Sequence, residues 1–559
     1  MKPKSKYLLL LAPRALYLVS CALFLVPCFL CLLSCKARQS GSKNIFRYNE
    51  STGIASLDPA FSKNQSTIWP AHQLYNTLVE NDGDTRTRGS LAKNWDISPD
   101  GLEYIFHLRT DVFFHDNEAF PGGKGRKMSA ADVEYSFRRI MNAKLASPGA
   151  WIFNNVVDSA DGFKAMNDST FRLKLINPYA PVLQVLKMKY CSVVPKEVVE
   201  KFGTDFRRNP CGTGPFQFVS WEEGLALILK KNENYFEKDS AGSRLPYLDG
   251  IKITFSESKA TEFLLFRQKQ IHFINDIDIS FKDELLTLKG ELRKEWKDKV
   301  MLQIHPYLNT EYFGFLVDSS NELIKNSPLR LKKIRQAMNY AIDRRKMILY
   351  LRNSLSSPAE SGFVPEGMSS FDTAAVKGYN YNPAKTKQLL AEAGFPEGKN
   401  LPAIKLYTIP IYAEIGSYLT KQFEEAGIPV TVEVVLRSFL FELTSNSKAP
   451  FFRGSWIADY GDAINYLSCF YSKNPAPPNY TRYQNPDFDK LFEKAVRETN
   501  DSLRFILYRQ ADQLLINDAP VIPLWYDRVI RLTQPEVSGF EPNNLNWLEL
   551  RKTRIHKSG

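Results

Sequence analysis

Lys405-Leu-Tyr-Thr-Ile409, Tyr418-Leu-Thr-Lys-Gln-Phe-Glu-Glu-Ala426 and Val430-Thr-Val-Glu-Val-Val-Leu436 follow one another closely and read as strand, helix and strand. Such alternation marks an α/β fold, in which crossover helices cover a sheet that would otherwise leave its apolar faces in water. The pattern extends upstream. Helical periodicity runs from Leu331 to Leu351 and again from Pro383 to Ala393, where Glu392-Ala-Gly394-Phe395-Pro396 places a glycine at the helix stop.

Nearer the N-terminus the elements become β-rich. Ile251-Lys-Ile-Thr-Phe255 is a strand entered through the turn Leu248-Asp249-Gly250, and Asn209-Pro-Cys-Gly-Thr-Gly-Pro215 is a turn cluster between two elements. Phe171-Arg-Leu-Lys-Leu175 alternates strictly, as a half-buried strand does. Tyr104 to Arg109 and Asp111 to Phe114 read as strands, and Ser129 caps a helix from Ala130 to Met141 with Asp132 in its first turn. An amphipathic helix is expected around Trp69 to Leu78, after a short strand within Asn44 to Leu57. No internal repeat is present.

The first 34 residues carry Lys2, Lys4, Lys6 and Arg14 without an acid, then an apolar run from Ala15 to Leu33 that ends in Leu32-Leu-Ser-Cys35. This is an export signal whose last four residues are similar to a lipobox, with Cys35 as the lipid-bearing residue. The alternative is an uncleaved anchor, since the apolar run just reaches the length that spans a bilayer core of about 30 Å. Both readings place the body of the chain outside the cytoplasm, tethered to a membrane. Of the seven cysteines, Cys21, Cys28 and Cys31 lie in the leader and Cys35 directly follows it, leaving Cys191, Cys211 and Cys469 in the body. Three thiols do not make a disulfide scaffold, although a Cys191–Cys211 bridge and simple buried thiols both stay open. With 559 residues, the chain exceeds what one core serves, so two or three domains are expected.

The formal charge of +12 includes the four leader cations, and the remainder is dispersed among acids with no basic tail, zinc knuckle or helix-turn-helix. Nucleic-acid binding is therefore not expected. The six histidines show no metal spacing, and no Gly-x-Ser-x-Gly elbow occurs. Gly122-Gly-Lys-Gly125 lacks the Gly-Lys-Ser/Thr ending of a phosphate loop and reads as an exposed loop. Neither catalysis, a cofactor nor a metal is indicated.

Arg453-Gly-Ser-Trp-Ile-Ala-Asp459-Tyr460 brings a cation and a carboxylate to within six residues of each other around Trp456. Locally each residue has an ordinary reading: Asp459 as a turn carboxylate, Arg453 as a solvated strand residue, Trp456 as core. Together they look like a clamp for a zwitterion, because charges taken out of water need partners of opposite sign. On a straight strand residues 453 to 459 would hold the two charges about 20 Å apart on one face. Arg352, in Tyr350-Leu-Arg-Asn-Ser, closes a helix, where a cation also complements the helix dipole.

Nine segments, in order, carry a resemblance: Leu91-Ala-Lys-Asn-Trp95, Phe106-His-Leu-Arg109, Ser129-Ala-Ala-Asp-Val-Glu-Tyr-Ser-Phe137, Cys211-Gly-Thr-Gly-Pro-Phe216, Ile334-Arg-Gln-Ala-Met-Asn-Tyr-Ala-Ile-Asp343, Leu389-Leu-Ala-Glu-Ala-Gly-Phe395, Trp456-Ile-Ala-Asp-Tyr460, Asn485-Pro-Asp-Phe-Asp-Lys-Leu491 and Asp518-Ala-Pro-Val-Ile-Pro523. The chain resembles the peptide and nickel class of extracytoplasmic solute-binding proteins, family 5, and within it the oligopeptide-binding type, from about Asn44 to about Leu548. The resemblance implies an α/β bilobal periplasmic-binding-protein-like fold with an additional β-rich domain. A discontinuous lobe I would comprise 36–80, 177–308 and 529–559, the extra domain 81–176 and lobe II 309–528, behind a signal peptide at 1–34.

It further implies capture of short oligopeptides for an ABC permease and its ATPase subunits, by a monomer lipid-anchored in the cell envelope or periplasm. Asp459 would meet the peptide α-ammonium, and Arg453 or Arg352 its carboxylate. Ile457 and Tyr460 flank that position, and Phe439 would pack on the ligand backbone. Trp151, in Ala146-Ser-Pro-Gly-Ala-Trp151, stands where peptide binders often place a tyrosine. Murein peptides, glutathione and nickel chelates are the alternative ligands on the same fold. A chaperone-like or adhesive surface lipoprotein is the alternative of another class.

Overall fold

The computed structural model describes residues 44–556 except Asp84, Asn155 and Ser159. The export signal and Cys35 lie outside the described residues. Two long strands, Met301–Phe315 and Val521–Thr533, pair antiparallel and form the spine of an 11-stranded mixed sheet. To one side lie Phe451–Ile457, Ile404–Thr408 and Val430–Val434. To the other lie Phe273–Asn275, Ile45–Asn49, Gly250–Thr254, Ala226–Lys231 and Phe216–Glu222, while Ser357–Pro358 branches onto Val521–Thr533. From Leu308 to Phe315 every residue is buried, as befits a strand flanked on both edges and covered on both faces.

The strand–helix–strand reading of 405–436 is realised as Ile404–Thr408, the helix Ala413–Glu425 and Val430–Val434. The strands pair in parallel, Ile404 opposite Val430 through Thr408 opposite Val434, and the helix is the crossover that parallel pairing requires. The second strand stops short of Leu436 because Leu436 caps a new helix, Arg437–Ser445. Leu419 and Phe423 pack with Phe313, Phe315, Ile334, Met338, Phe451 and Trp525 into a core separate from the larger one around Tyr48, Trp69, Phe106 and Tyr466.

A second sheet, antiparallel, runs Ala92–Ile97, Glu103–Leu108, Thr170–Lys174, Phe163–Asn167. The helix Ala130–Ile140 covers it with Val133, Phe137 and Ile140. Ser129 and Asp132 form the expected capping box, with the Ser129 N–H donating to the Asp132 carboxylate at 2.9 Å.

Several expectations are corrected. Asp111 to Phe114 is not a strand; Phe113 makes one isolated bridge to Lys127. The helix expected around Trp69 to Leu78 is Gln65–Leu74, started by the Asn64 cap. The periodic run from Leu331 to Leu351 divides into Lys332–Tyr340 and Arg344–Arg352, because the Asp343 side chain accepts from the Lys346 N–H and starts a new helix. Cys191, Cys211 and Cys469 are free, buried thiols, so the Cys191–Cys211 bridge is not formed. Among the described residues no helix is long and apolar enough to cross a membrane.

Candidate ligand-binding site

A cavity of about 620 Å³ opens where the sheet spine is irregular. The pairing of Met301–Phe315 with Val521–Thr533 shifts register between Pro306 and Thr310, leaving Asp527 without a ladder partner opposite the bulge. Tyr307, Asn309 and Glu311, two residues apart on one strand face, line the cavity together with Asp527. The adjoining strand Phe451–Ile457 pairs Arg453 with Phe313 and Ser455 with Glu311. Gly454 between them has to be glycine, since a Cβ there would lie 2.3 Å from the Tyr312 ring. A third wall is the helix Arg437–Ser445, which turns Arg437, Leu440, Phe441 and Thr444 inward at helical spacing.

The charges on these walls do not form a simple two-ended clamp. Arg453 donates to Glu311 at 2.5 Å, and its guanidinium lies 3.8 Å from the centre of the Tyr412 ring. Tyr412 donates its hydroxyl proton to the other Glu311 oxygen at 3.2 Å. Burial pushes the Glu311 carboxyl above its usual range, while the Arg453 guanidinium acts in the opposite sense. Asn309 links this pair to a second one: its amide donates to Glu311 at 3.3 Å and to Asp527 at 2.6 Å. Asp527 in turn accepts from Arg352 at 2.9 Å, and Arg352 lies over the Trp525 ring. Arg453 and Arg352 are thus neutralised within one continuous Arg–Glu–Asn–Asp–Arg track.

Asp459 is different. The strand ends at Ile457, so Asp459 sits beyond it and the straight-strand spacing does not apply. Its carboxylate is open to the cavity, yet enough protein surrounds it that burial pushes its pKa above the usual carboxylate range. No cation among the described residues pairs with it; Asn465 donates at 3.5 Å and supplies the one opposing influence. Asn465 also accepts from the Trp456 indole N–H at 2.9 Å, which ties the tryptophan and the aspartate to one amide.

Arg453, Trp456, Ile457 and Asp459 therefore meet at one cavity. Tyr460 and Trp151 lie beside it: their rings are 6.3 Å apart, and the Tyr460 and Tyr179 hydroxyls are 3.3 Å apart. Arg352 stands behind Asp527. Phe439 shares the helix of the third wall but is out of phase with its inward face and does not line the cavity, whereas Phe441 does. Glu311, Asn309, Asp527, Tyr412 and Arg437 escaped the sequence reading. Tyr307-Leu-Asn309-Thr-Glu311 carried a signal, a polar alternation leading into the run Tyr312-Phe-Gly-Phe-Leu316. The described residues contain no group of three or more histidines, cysteines or carboxylates arranged for a metal.

A cavity walled by one sheet and the helix Arg437–Ser445, lined by aromatic rings and a few fixed charges, has the form of a small-ligand site. Residues 86–478 match the model of the bacterial extracellular solute-binding proteins, family 5, and the chain belongs to that family. It is 30% identical to heme-binding protein A of Haemophilus influenzae, covering 96% of each chain. It is 25% identical to the periplasmic oligopeptide-binding protein OppA of Salmonella typhimurium over 90% of both. Among solved structures, the ABC transporter-associated periplasmic binding protein DppA of Helicobacter pylori, in complex with the peptide STSA, superposes with a TM-score of 0.70 at 25% identity, covering 92% of this chain and 98% of that one. The fold is the α/β periplasmic-binding-protein fold. The family comprises non-enzymatic substrate-binding proteins that work with ABC permease and ATPase subunits.

Proposed function

We propose that this protein captures short peptides with a free α-ammonium and delivers them to an ABC permease. The observation that carries this reading is Asp459: a carboxylate facing the cavity, pushed upward in pKa by burial, with no cation among the described residues to neutralise it. A ligand ammonium supplies that charge, and the gain is larger in a closed cavity than in water. The similarity to an oligopeptide-binding protein and to a binding protein solved with a bound peptide supports the same reading. An extended peptide offers backbone groups that are the same in every sequence, so hydrogen bonding along it gives affinity with broad tolerance of side chains. Closure around the ligand is what a permease would distinguish from the empty form. In this proposal the mature chain is a monomer held in the cell envelope by a lipid on Cys35.

Heme is the second reading, favoured by the 30% relationship to a heme-binding protein and by the half-exposed apolar side chains of Ile457 and Phe441 at the cavity. It leaves Asp459 without a cation, which is why the peptide reading is preferred. The test is calorimetry of residues 36–559, unfolded and refolded to strip resident ligand, against di- to pentapeptides and their N-acetylated forms, with a parallel hemin titration followed by absorbance. Tight binding of free peptides and weak binding of acetylated ones is the expected result. Hemin binding without peptide binding overturns it.

A further inference from the structure

We propose that Arg437 receives the α-carboxylate of the bound peptide and that Phe441 covers the apolar side chain of its last residue. This rests on the peptide reading above and adds the far end of the ligand to it. Arg437 is exposed, lines the same cavity as Asp459, and has no hydrogen-bond or ion-pair partner among the described residues. Arg453, by contrast, is held by Glu311 at 2.5 Å, and Arg352 by Asp527 at 2.9 Å. A carboxylate approaching either would compete with a resident anion and be repelled by it, whereas at Arg437 it meets an uncompensated cation.

The backbone at the same place adds to this. Arg437 is the first residue of its helix, Leu436 is the cap, and no side chain caps the turn. The N–H groups of Arg437, Ser438 and Phe439 find no protein acceptor among the described residues. An uncapped helix start carries a partial positive charge, and here it stands beside an unpaired guanidinium on a cavity wall. Two features of one sign converge on an anion.

Phe441 follows one helical turn later on the inward face and is 54% exposed although it lines the cavity. An apolar group next to the carboxylate would cover it. The ligand class that matches both ends is therefore a peptide whose ammonium sits at Asp459 and whose last residue is aliphatic or aromatic.

The experiment is calorimetry of the wild type, Arg437→Gln, Arg453→Gln and Phe441→Ala with Ala-Ala-Phe, Ala-Ala-Phe-amide, Ala-Ala-Ala and Ala-Glu-Phe-amide. The expected result is that R437Q weakens Ala-Ala-Phe by roughly 10- to 100-fold, the range of a hydrogen bond to a charged group, and leaves the amide unchanged. F441A should weaken Ala-Ala-Phe more than Ala-Ala-Ala, by roughly 3- to 10-fold. Equal effects of R437Q on acid and amide, or loss of the acid selectivity in R453Q alone, overturn the assignment. Weakening confined to Ala-Glu-Phe-amide also overturns it, because Arg437 would then read a side-chain carboxylate. If the wild type binds none of the four, the peptide reading itself fails; if wild type and R437Q bind them equally, only the Arg437 assignment does. Thermal melts of each variant separate loss of binding from loss of fold.

Discussion

Replacing Asp459 by asparagine keeps the shape of the cavity wall and the Asn465 neighbour but removes the negative charge. Truncating one partner of a buried charge pair costs about 2–5 kcal/mol of affinity, much of it from leaving the other charge unpaired. The geometry selects the lower part of that range. Asp459 stays open to the cavity and, among the described residues, accepts only from Asn465 at 3.5 Å, so residual water can share the solvation of a bound ammonium. We expect a loss of about 2–3 kcal/mol, or roughly 30- to 150-fold in Kd. The assay is calorimetry with a free tripeptide and its N-acetyl form: the wild type separates them, and D459N does not. The pH dependence gives a second readout. Burial raises the Asp459 pKa in the ligand-free protein, and an arriving ammonium pulls it back down. Affinity is therefore complete where the free carboxylate is ionised, falls as pH drops through the raised pKa, and loses that limb in D459N. A raised carboxyl pKa also opposes folding above the unfolded value, so ligand-free D459N should melt slightly higher than the wild type while losing the melting shift that peptide produces. D459N binding within twofold of the wild type, with the acetyl discrimination intact, would refute the assignment.

Glu311→Ala leaves the partly buried Arg453 unpaired, and should lower stability by about 2–3 kcal/mol in urea titration, below the cost for a fully buried charge, whereas Glu311→Leu combined with Arg453→Met should recover much of that loss. Asp512, wholly buried and accepting from the Phe363 and Val364 N–H groups, has its pKa pushed up to about 7 by burial. The folded state thus holds this proton more tightly than the unfolded chain does, so stability should fall as pH rises from about 4 to about 7, and Asp512→Asn should flatten that slope in denaturant midpoints. Burial also raises the thiol pKa values of Cys191, Cys211 and Cys469, and none should react with a thiol reagent at neutral pH until the protein unfolds. Rapid labelling of a folded sample would contradict their placement.

The elements that local chemistry specifies were readable in advance. Ser129 and Asp132 lie three residues apart and close their capping box within one turn. The helix Pro383–Glu392 ends before Gly394, whose φ of +92° suits glycine. The run from 405 to 436 contains its own parallel strand pair and crossover. Boundaries failed where a neighbouring signal competed. Asp343 interrupts a continuous helical period, and Asp111 to Phe114 has strand composition but only one bridging partner, Lys127. Phe439 and Phe441 are equally aromatic, and only the phase of their helix against the cavity separates them.

The sequence by itself determined the α/β alternation, the helix caps, and the closeness of Trp456 and Asp459, because those depend on contacts within a few residues. Tertiary structure decided the electrostatics of the site. Glu311 neutralises Arg453 from 142 positions away, Asp527 neutralises Arg352 from 175 positions away, and among the described residues no acid is folded against Arg437. A charge in a sequence has a sign, but whether it is free to meet a ligand depends on what long-range strand pairing sets beside it.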